Sequence, residues 1–316
     1  MTQIAVLGGT GLVGRHVLAA LGQAAMGPII ATTHRRPGFE ARGVEWRQVD
    51  LTLPDSAREA LRGAGTAVLC AGRLSTSAEL RRDPVGSVTT TLRIGINVLE
   101  AAAAQGLERV VLTSSTTGYP AGVRGKDEAA LFEGDPPADW FGIGWVHRFL
   151  EKQLEWYGAR LGRIGSGVAL RPTLIYGPHD DFDQRSAHFV PSFIRRVVQR
   201  ERPIEVWGDG SQMRNLIHAA DVAAAIVAVL SDRNPGFGAY NVAAPQGASV
   251  YEVLQTLIEL DRFDDAQIVY QRDRSGGPMA MEVPSGAFAA RYGWRPRVSL
   301  RDGLAQTLDW YRQSAG

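Results

Sequence analysis

The sequence contains a single cysteine, Cys70, among 316 residues. A lone cysteine cannot form a disulfide bond within the chain and disfavours a cysteine-based metal site, so we expect no bound metal. The formal net charge of +1 provides no basic surface that would attract nucleic acid or an anionic membrane. The sequence also lacks a signal segment and any run of ~18 apolar residues that could cross a bilayer. These absences predict a soluble cytoplasmic protein with neither nucleic acid nor membrane as a partner.

Lysine is nearly absent as well. Arginine carries almost all of the positive charge, and the only lysines are Lys126 and Lys152. A catalytic step that requires a lysine at a fixed position therefore has two candidate residues in the whole chain.

Glycine, in contrast, is abundant, and three glycines are regularly spaced near the start of the chain. Gly8, Gly11 and Gly14 follow an apolar run at residues 4–7 and precede a helical pattern at residues 15–21. A strand, a glycine-rich turn and a helix N-terminus in this order can bind the pyrophosphate of a dinucleotide through backbone amides. The alternative is an ordinary glycine-rich turn. The residues expected to contact a dinucleotide are Gly8, Thr10, Gly11, Leu12, Val13 and Gly14.

Strand and helix patterns alternate through the first half of the chain. This alternation predicts an α/β fold with a Rossmann-type, doubly wound parallel sheet, whose carboxyl edge holds the ligand. Strands are predicted at residues 4–7, 28–33, 45–49, 67–70, 110–114 and 167–171, and helices at 15–21, 56–61, 88–105 and 140–161.

The second half is less regular. Asp221 is a suitable N-cap for an apolar helix over residues 222–230, and residues 240–242 form a further strand pattern. We expect two interleaved domains rather than two sequential ones. The dinucleotide-binding domain comprises residues 1–175 and about 215–245, and the smaller α/β substrate domain comprises about 176–214 and 246–316.

Several short motifs, in this order, resemble the extended short-chain dehydrogenase/reductase family of the NAD-dependent epimerase/dehydratase type. They include the glycine loop, Val49-Asp50-Leu51, Cys70-Ala71-Gly72, Leu170-Arg171-Pro172 and Ile175-Tyr176-Gly177-Pro178. The stretch that continues through His179-Asp180-Asp181-Phe182 resembles the GDP-fucose synthases of this family, and Gly293-Trp294-Arg295-Pro296 resembles its deoxysugar 4-ketoreductases. The resemblance implies a nicotinamide cofactor, a nucleotide-sugar substrate and a homodimer formed through helices 88–105 and 140–161.

The end of the second strand indicates which nicotinamide cofactor is used. NAD-binding members of this fold carry an acidic residue there, whereas this chain has Arg35 and Arg36, which suit a 2′-phosphate. We therefore favour NADP over NAD, although either arginine alone could belong to a solvated turn. Asp50 and Leu51 are expected to contact the adenine, unless Asp50 only caps the next turn. Ala71 and Gly72 are expected to line the cofactor, and Cys70 is expected to be a packing residue.

The resemblance also implies a proton relay, in which a tyrosine and a lysine four residues later lie on one helix face and a serine holds the substrate oxygen. Ser115 occupies the serine position. Alignment on Glu151 puts Ile143 at the tyrosine position and His147 at the lysine position, so the tyrosine–lysine pair is missing. His147 is expected on the inward face of its helix, where it contacts the cofactor ribose or acts as an acid or base; the alternative is a core histidine without chemistry.

Three further residues are candidates for the substrate site by resemblance. His179 matches a histidine acid, Thr117 stands at the position of its cysteine partner, and Arg214 matches an arginine that binds the substrate diphosphate. The alternative for His179 is a loop histidine that binds phosphate or nothing, and the alternative for Arg214 is a surface ion pair. The favoured function is an NADP-dependent reductase or epimerase of a 4-keto or deoxy nucleotide sugar with an atypical active site. A non-redox sugar-modifying enzyme and a catalytically silent NAD(P)-binding homologue remain open.

Overall fold

A computed structural model describes residues 2–73, 80, 82–122, 127–184, 186–274 and 283–315. Its strands are β1 (Gln3–Leu7), β2 (Ile29–Thr33), β3 (Val44–Gln48), β4 (Ala64–Leu69), β5 (Arg109–Thr113), β6 (Gly167–Pro172), β7 (Leu174–Tyr176), β8 (Ile204–Trp207), β9 (Met213–Arg214), β10 (Leu216–His218), β11 (Phe237–Val242), β12 (Ala248–Ser249) and β13 (Ile268–Gln271). Its α-helices are α1 (Leu12–Gln23), α2 (Pro54–Leu61), α3 (Pro84–Gln105), α4 (Phe141–Glu155), α5 (Phe189–Val198), α6 (Ala219–Ser231), α7 (Val250–Asp261), α8 (Gly286–Tyr292) and α9 (Leu300–Ala315).

A seven-stranded parallel sheet forms the centre of the fold, in the order β11-β6-β5-β4-β1-β2-β3. Strands β2 and β6 are buried along their whole length, as expected for parallel strands that helices cover on both faces. The strand order reverses between β1 and β4, which is where such sheets open a ligand crevice at their carboxyl edge. The doubly wound parallel sheet predicted from the sequence is confirmed.

Two apolar clusters fill the space between the sheet and the helices on its faces. Because successive strand residues point to opposite faces, Ala5 and Leu7 of β1 pack in the cluster with α2, α3 and α4. Ile4 and Val6 pack in the other cluster, with α1 and α6. The helices on both faces thereby fix the carboxyl edge of the sheet. None of the helices within the described ranges combines the length and the apolar character needed to cross a membrane.

The second half of the chain builds a third apolar cluster, which α5, α7, α9 and strand β8 share. Strand β8 pairs in parallel with β13, and β9 pairs antiparallel with β12. The division into a cofactor domain and a substrate domain stays a prediction.

The N-cap assigned to Asp221 is wrong. Helix α6 begins earlier, at Ala219, and its N-cap is His218, whose ring nitrogen accepts from the Ala220 N–H at 3.3 Å. Asp221 lies inside the first helical turn, and its carboxylate accepts from the backbone N–H groups of Arg297 (2.8 Å) and Val298 (3.1 Å). The aspartate therefore ties the segment before α9 to α6, instead of capping its own helix.

Candidate active site

The glycine loop is held between three neighbouring strands at the carboxyl edge. The Gly8 N–H donates to Thr32 Oγ1 at 2.9 Å, and the Gly9 N–H donates to the Thr32 carbonyl at 3.0 Å. Gly8 has a φ of +90°, and a Cβ atom there would lie 2.9 Å from Cα of Ala71, just after β4, so only glycine fits this turn between β1 and α1.

The first turn of α1 presents backbone amides that no side chain among the described residues caps. Gly11 is the N-cap residue, it provides no side-chain hydrogen bond, and the first turn carries no acidic residue. An uncapped helix N-terminus directly after a glycine turn favours a phosphate group. The loop therefore fits a pyrophosphate. Within the loop Thr10 is buried, and Leu12 and Val13 are half-buried.

The adenine end of the predicted cofactor site contains a capped turn. Asp50 Oδ1 accepts from the Thr52 N–H at 2.9 Å and from its hydroxyl at 2.7 Å, and these bonds lower the pKa of the carboxyl. Asp50 thus caps the next turn, which is the alternative considered above, and its contact with adenine stays a prediction. Leu51 is buried, and Ala71 is half-buried beside the exposed Gly72.

The serine turn after β5 is arranged to offer a proton. Ser115 Oγ accepts from the Thr117 N–H at 3.1 Å and from the Thr117 hydroxyl at 3.0 Å. With its lone pairs engaged in this way, the Ser115 hydroxyl can donate its hydrogen to a further acceptor. The Thr117 hydroxyl proton is used in this hydrogen bond, which holds the Ser115 hydroxyl in place.

The helix α4 carries the two substituted relay positions and lies against the serine turn. A Cβ atom at Gly144 would lie 2.8 Å from the Thr117 carbonyl, so glycine allows this close approach. Ile143 is 6% exposed and belongs to the apolar core, where it packs and cannot transfer a proton. His147 is half-buried, and burial lowers its pKa to about 4. At neutral pH the imidazole is therefore uncharged, unlike a lysine at that position.

A buried ion pair lies behind the serine turn, and the sequence analysis missed it. Glu151 accepts from Arg171 Nη2 at 2.6 Å and from Arg171 Nε at 3.0 Å, and the Ser114 hydroxyl donates to it at 2.5 Å. Arg171 Nη1 also donates to the Tyr119 hydroxyl at 3.2 Å. The pair joins α4 to β6 and fixes the residue before Ser115.

His179 lies in a different part of the site, in a cavity of about 380 Å³ between α1 and α9. Its ring centroid is 4.8 Å from that of Trp310 and 6.1 Å from that of His16. Burial, Arg15 and His16 lower its pKa to about 4. The sequence analysis missed most of this lining, because α9 is distant in sequence. The residues that line the cavity are Arg15, Arg36, His179, Asp180, Asp181, Phe182, Trp310, Tyr311 and Ser314.

Asp180 contributes a second buried titratable group to this cavity. Its Oδ1 accepts from the Asp181 N–H at 2.8 Å, whereas its Oδ2 is buried without a hydrogen-bond partner among the described residues. Burial raises the pKa of this carboxyl to about 7. A carboxyl group in this state holds a proton over part of the neutral range.

The remaining site candidates lie apart from this cavity. Arg214 is half-buried on β9, donates to the Met213 carbonyl at 2.9 Å and has its pKa lowered by burial. Burial raises the pKa of the Cys70 thiol to about 12, which agrees with a packing role. Within the described ranges, no group of three or more His, Cys, Asp or Glu side chains is arranged to hold a metal ion.

Known proteins are similar to this chain in sequence and in fold. The profile of the NAD dependent epimerase/dehydratase family matches residues 4–243. GDP-L-fucose synthase 1 of Arabidopsis thaliana is 27% identical over 316 residues, which cover 98% of this chain and 93% of the plant protein. GDP-L-fucose synthase of Escherichia coli K12 is 25% identical, over 73% of this chain and 75% of its own length.

The fold has an equally extensive match. A UDP-glucose 4-epimerase from Thermotoga maritima has a TM-score of 0.86 over 99% of this chain and 100% of its own, at 21% identity, which concerns the fold alone. The family profile covers the glycine loop, the serine turn and α4. The chain belongs to the NAD dependent epimerase/dehydratase family, the extended short-chain dehydrogenases/reductases.

Proposed function

We propose that this chain is a cytoplasmic NADP-dependent reductase or epimerase that acts on a nucleotide-linked 4-keto or deoxy sugar. The observation that carries the proposal is that a candidate phosphate site and a candidate proton donor both lie at the carboxyl edge of the central sheet. The uncapped N-terminus of α1 follows β1, and the Ser115 hydroxyl, with its proton free to donate, follows β5. The similarity to a plant GDP-L-fucose synthase, which extends over both parts, supports a substrate of that class.

The residues of this chain fit the cofactor as follows. The amides of the glycine loop and of the first turn of α1 would hold the pyrophosphate. The exposed Arg35 and Arg36, at the end of β2, would meet the adenosine ribose and favour a 2′-phosphate. When bound, the cofactor supplies or accepts a hydride at the sugar carbon.

Proton transfer at the sugar oxygen falls to residues other than the usual pair. Ser115 would donate a hydrogen bond to the keto oxygen, and Thr117 would fix its orientation. His147, neutral at pH 7, would contact the ribose or relay a proton without contributing a fixed positive charge. His179 would act on the other side of the sugar, and Arg214 would bind its diphosphate.

The second candidate is a non-redox enzyme or a silent homologue that binds NAD(P). The packing of Ile143 in the apolar core supports this candidate, because the isoleucine side chain at the tyrosine position cannot transfer a proton. In this case the cofactor would bind with no turnover of a keto sugar.

Restoring the family's relay separates the two candidates. In the double variant Ile143→Tyr/His147→Lys, the ammonium group lowers the pKa of the phenol. We expect the rate of NADPH consumption with 4-keto nucleotide sugars to rise by about 10²-fold, a typical contribution of acid–base catalysis. His147→Lys alone is the control and should show no such gain. A folded double variant that binds NADPH but consumes none with any sugar of the panel would count against a redox substrate site.

An exposed aromatic row on α4 supports a homodimer. Phe141, Trp145 and Phe149 recur every four residues, and each is 41–50% exposed. Such a row is unusual on a monomer surface and suits burial against a second copy of the chain. We expect light scattering to give twice the chain mass for the wild type and for Tyr251→Glu. The double variant Trp145→Glu/Phe149→Glu should give a monomer, and a dimer that survives it would contradict this interface.

A further inference from the structure

The C-terminal helix α9 contributes an aromatic side chain to the cavity that contains His179. Leu304 and Leu308 anchor this helix in the third apolar cluster, where they are 0% and 1% exposed. Trp310, two residues further along, lines the cavity, and its ring lies 4.8 Å from that of His179 at an interplanar angle of 65°. This edge-to-face arrangement is a preferred geometry for two aromatic rings. The helix therefore reaches a candidate site residue that is distant in sequence.

A second aromatic contact joins α9 to the loop that follows β7. Phe182 stacks on Tyr311, with ring centroids 4.5 Å apart, and its ring lies 5.7 Å from that of Trp310. Asp181 tightens the same loop, because its carboxylate accepts from the Ser186 hydroxyl at 2.6 Å. The loop cannot move far from its place without breaking its contacts with α9.

The backbone of His179 adopts an unfavourable conformation. Its φ of +72° lies in the left-handed region, which a residue with a Cβ atom rarely adopts. Such a conformation persists only where the surrounding contacts hold it, and it is typical of functional sites. The ring of His179 packs against Trp310 of α9 and against His16 of α1, whose centroid is 6.1 Å away. These two contacts determine where the imidazole lies.

The ring nitrogens of His179 are available to a ligand. Neither forms a hydrogen bond with another residue in the described part of the chain. Burial, Arg15 and His16 lower the pKa of the ring to about 4, so the imidazole is uncharged at neutral pH. An uncharged imidazole accepts a hydrogen bond or a proton at one nitrogen and donates at the other. The titratable and charged side chains around the ring are Arg15 and His16 of α1, Arg36 after β2, Asp180 and Asp181 of its own loop, and Tyr311 of α9.

We propose that Trp310 is a positioning residue for His179, so that the C-terminal helix completes the candidate active site. Contact with the large and rigid indole restricts the plane of the imidazole and covers one side of it. The free ring nitrogens then meet the substrate in one orientation, which is the condition for an efficient proton transfer. This inference rests on the proposed function, in which His179 acts on the sugar.

The protonation state of His179 reports on this contact without any turnover. Its Cε1–H signal, identified by its loss in His179→Gln, is followed by NMR in the purified protein between about pH 5 and pH 8. We expect the signal to stay nearly constant in the wild type and to titrate in Trp310→Leu, because water reaches the imidazole once the indole is removed. Trp310→Phe keeps an aromatic ring and should behave like the wild type. Trp156→Leu, which removes an exposed indole just after α4, is the control and should do the same.

Turnover provides the second measurement. With a sugar that the wild type converts, Trp310→Leu should lower kcat by about tenfold or more and leave the Kd for NADPH within about twofold, and Trp310→Phe should recover most of kcat. A His179 signal that stays constant in Trp310→Leu would overturn the role of Trp310, and so would a titrating signal with an unchanged kcat. A wild-type signal that already titrates in this range would overturn it too. Absence of turnover in the wild type would overturn the proposed function, whereas the titration would still support or overturn the contact's role.

Discussion

Replacing Gly14 with alanine should weaken the binding of both NADPH and NADH by at least about 10²-fold. A Cβ atom at Gly14 would lie 2.1 Å from the Gly8 carbonyl oxygen and 2.9 Å from Gly9 Cα, and both contacts are with backbone atoms that cannot rotate away. The loop would have to move away from α1, and its backbone amides would no longer point towards the pyrophosphate. Overpacking of this kind also costs about 1–3 kcal/mol of folding free energy.

Gly22→Ala is the matched control for this substitution. Gly22 lies in the same helix, and a Cβ atom there would meet no other atom within 4 Å. Alanine is favoured over glycine inside a helix by about 1 kcal/mol, so this variant should be at least as stable as the wild type and bind both cofactors normally. Fluorescence titration and thermal unfolding of the two variants give the comparison. A Gly14→Ala protein that binds like Gly22→Ala would show that the loop does not hold the cofactor.

Replacing Glu151 with alanine should reduce the free energy of unfolding by about 3–5 kcal/mol, the usual result of removing one partner of a buried ion pair. Glu151 is 7% exposed and Arg171 is 2% exposed, so the guanidinium would keep its charge in a site that water scarcely reaches. The Ser114 hydroxyl would lose its acceptor as well. Against a typical total stability of about 5–15 kcal/mol, this loss is a large fraction.

Urea unfolding of Glu155→Ala provides the comparison for Glu151→Ala. Glu155 ends the same helix and pairs with Lys152 at 2.8 Å, but the two side chains are 38% and 58% exposed, respectively. Exposed pairs contribute about 0–1 kcal/mol, so this variant should unfold near the wild-type midpoint. A similar loss of unfolding free energy in the two variants would contradict the conclusion that burial makes the Glu151–Arg171 pair important for stability.

The sheet could be predicted because each of its strands and helices is recognisable from a short stretch of neighbouring residues. Short apolar runs such as residues 4–7 and 167–171, separated by helical patterns, specify a parallel sheet without knowledge of any distant contact. The glycine loop is equally local, since Gly8 and Gly14 lie in one turn. Each of these features needs only neighbouring residues to be recognised.

The missed parts of the site depend on contacts between distant segments. Nothing near Trp310 in the sequence indicates that α9 packs beside His179, and Glu151 meets Arg171 only because α4 lies on β6. Asp221 illustrates the same limit, because its residue type suits a helix cap and its tertiary partners are amides beyond Trp294. The type of each residue could be read from the sequence, but its partners are determined by how distant segments pack.

Turnover of a nucleotide-linked 4-keto-6-deoxy sugar with NADPH tests the central claim most directly. Purified wild-type protein is mixed with NADPH and a panel of such sugars that differ in their nucleotide, while the absorbance of the reduced nicotinamide and the sugar product are followed. The proposed function predicts that at least one sugar is reduced or epimerised, with one NADPH consumed for each molecule of reduced product and a slower reduction with NADH. Tight binding of NADPH with neither reduction nor epimerisation of any sugar of the panel would contradict the claim.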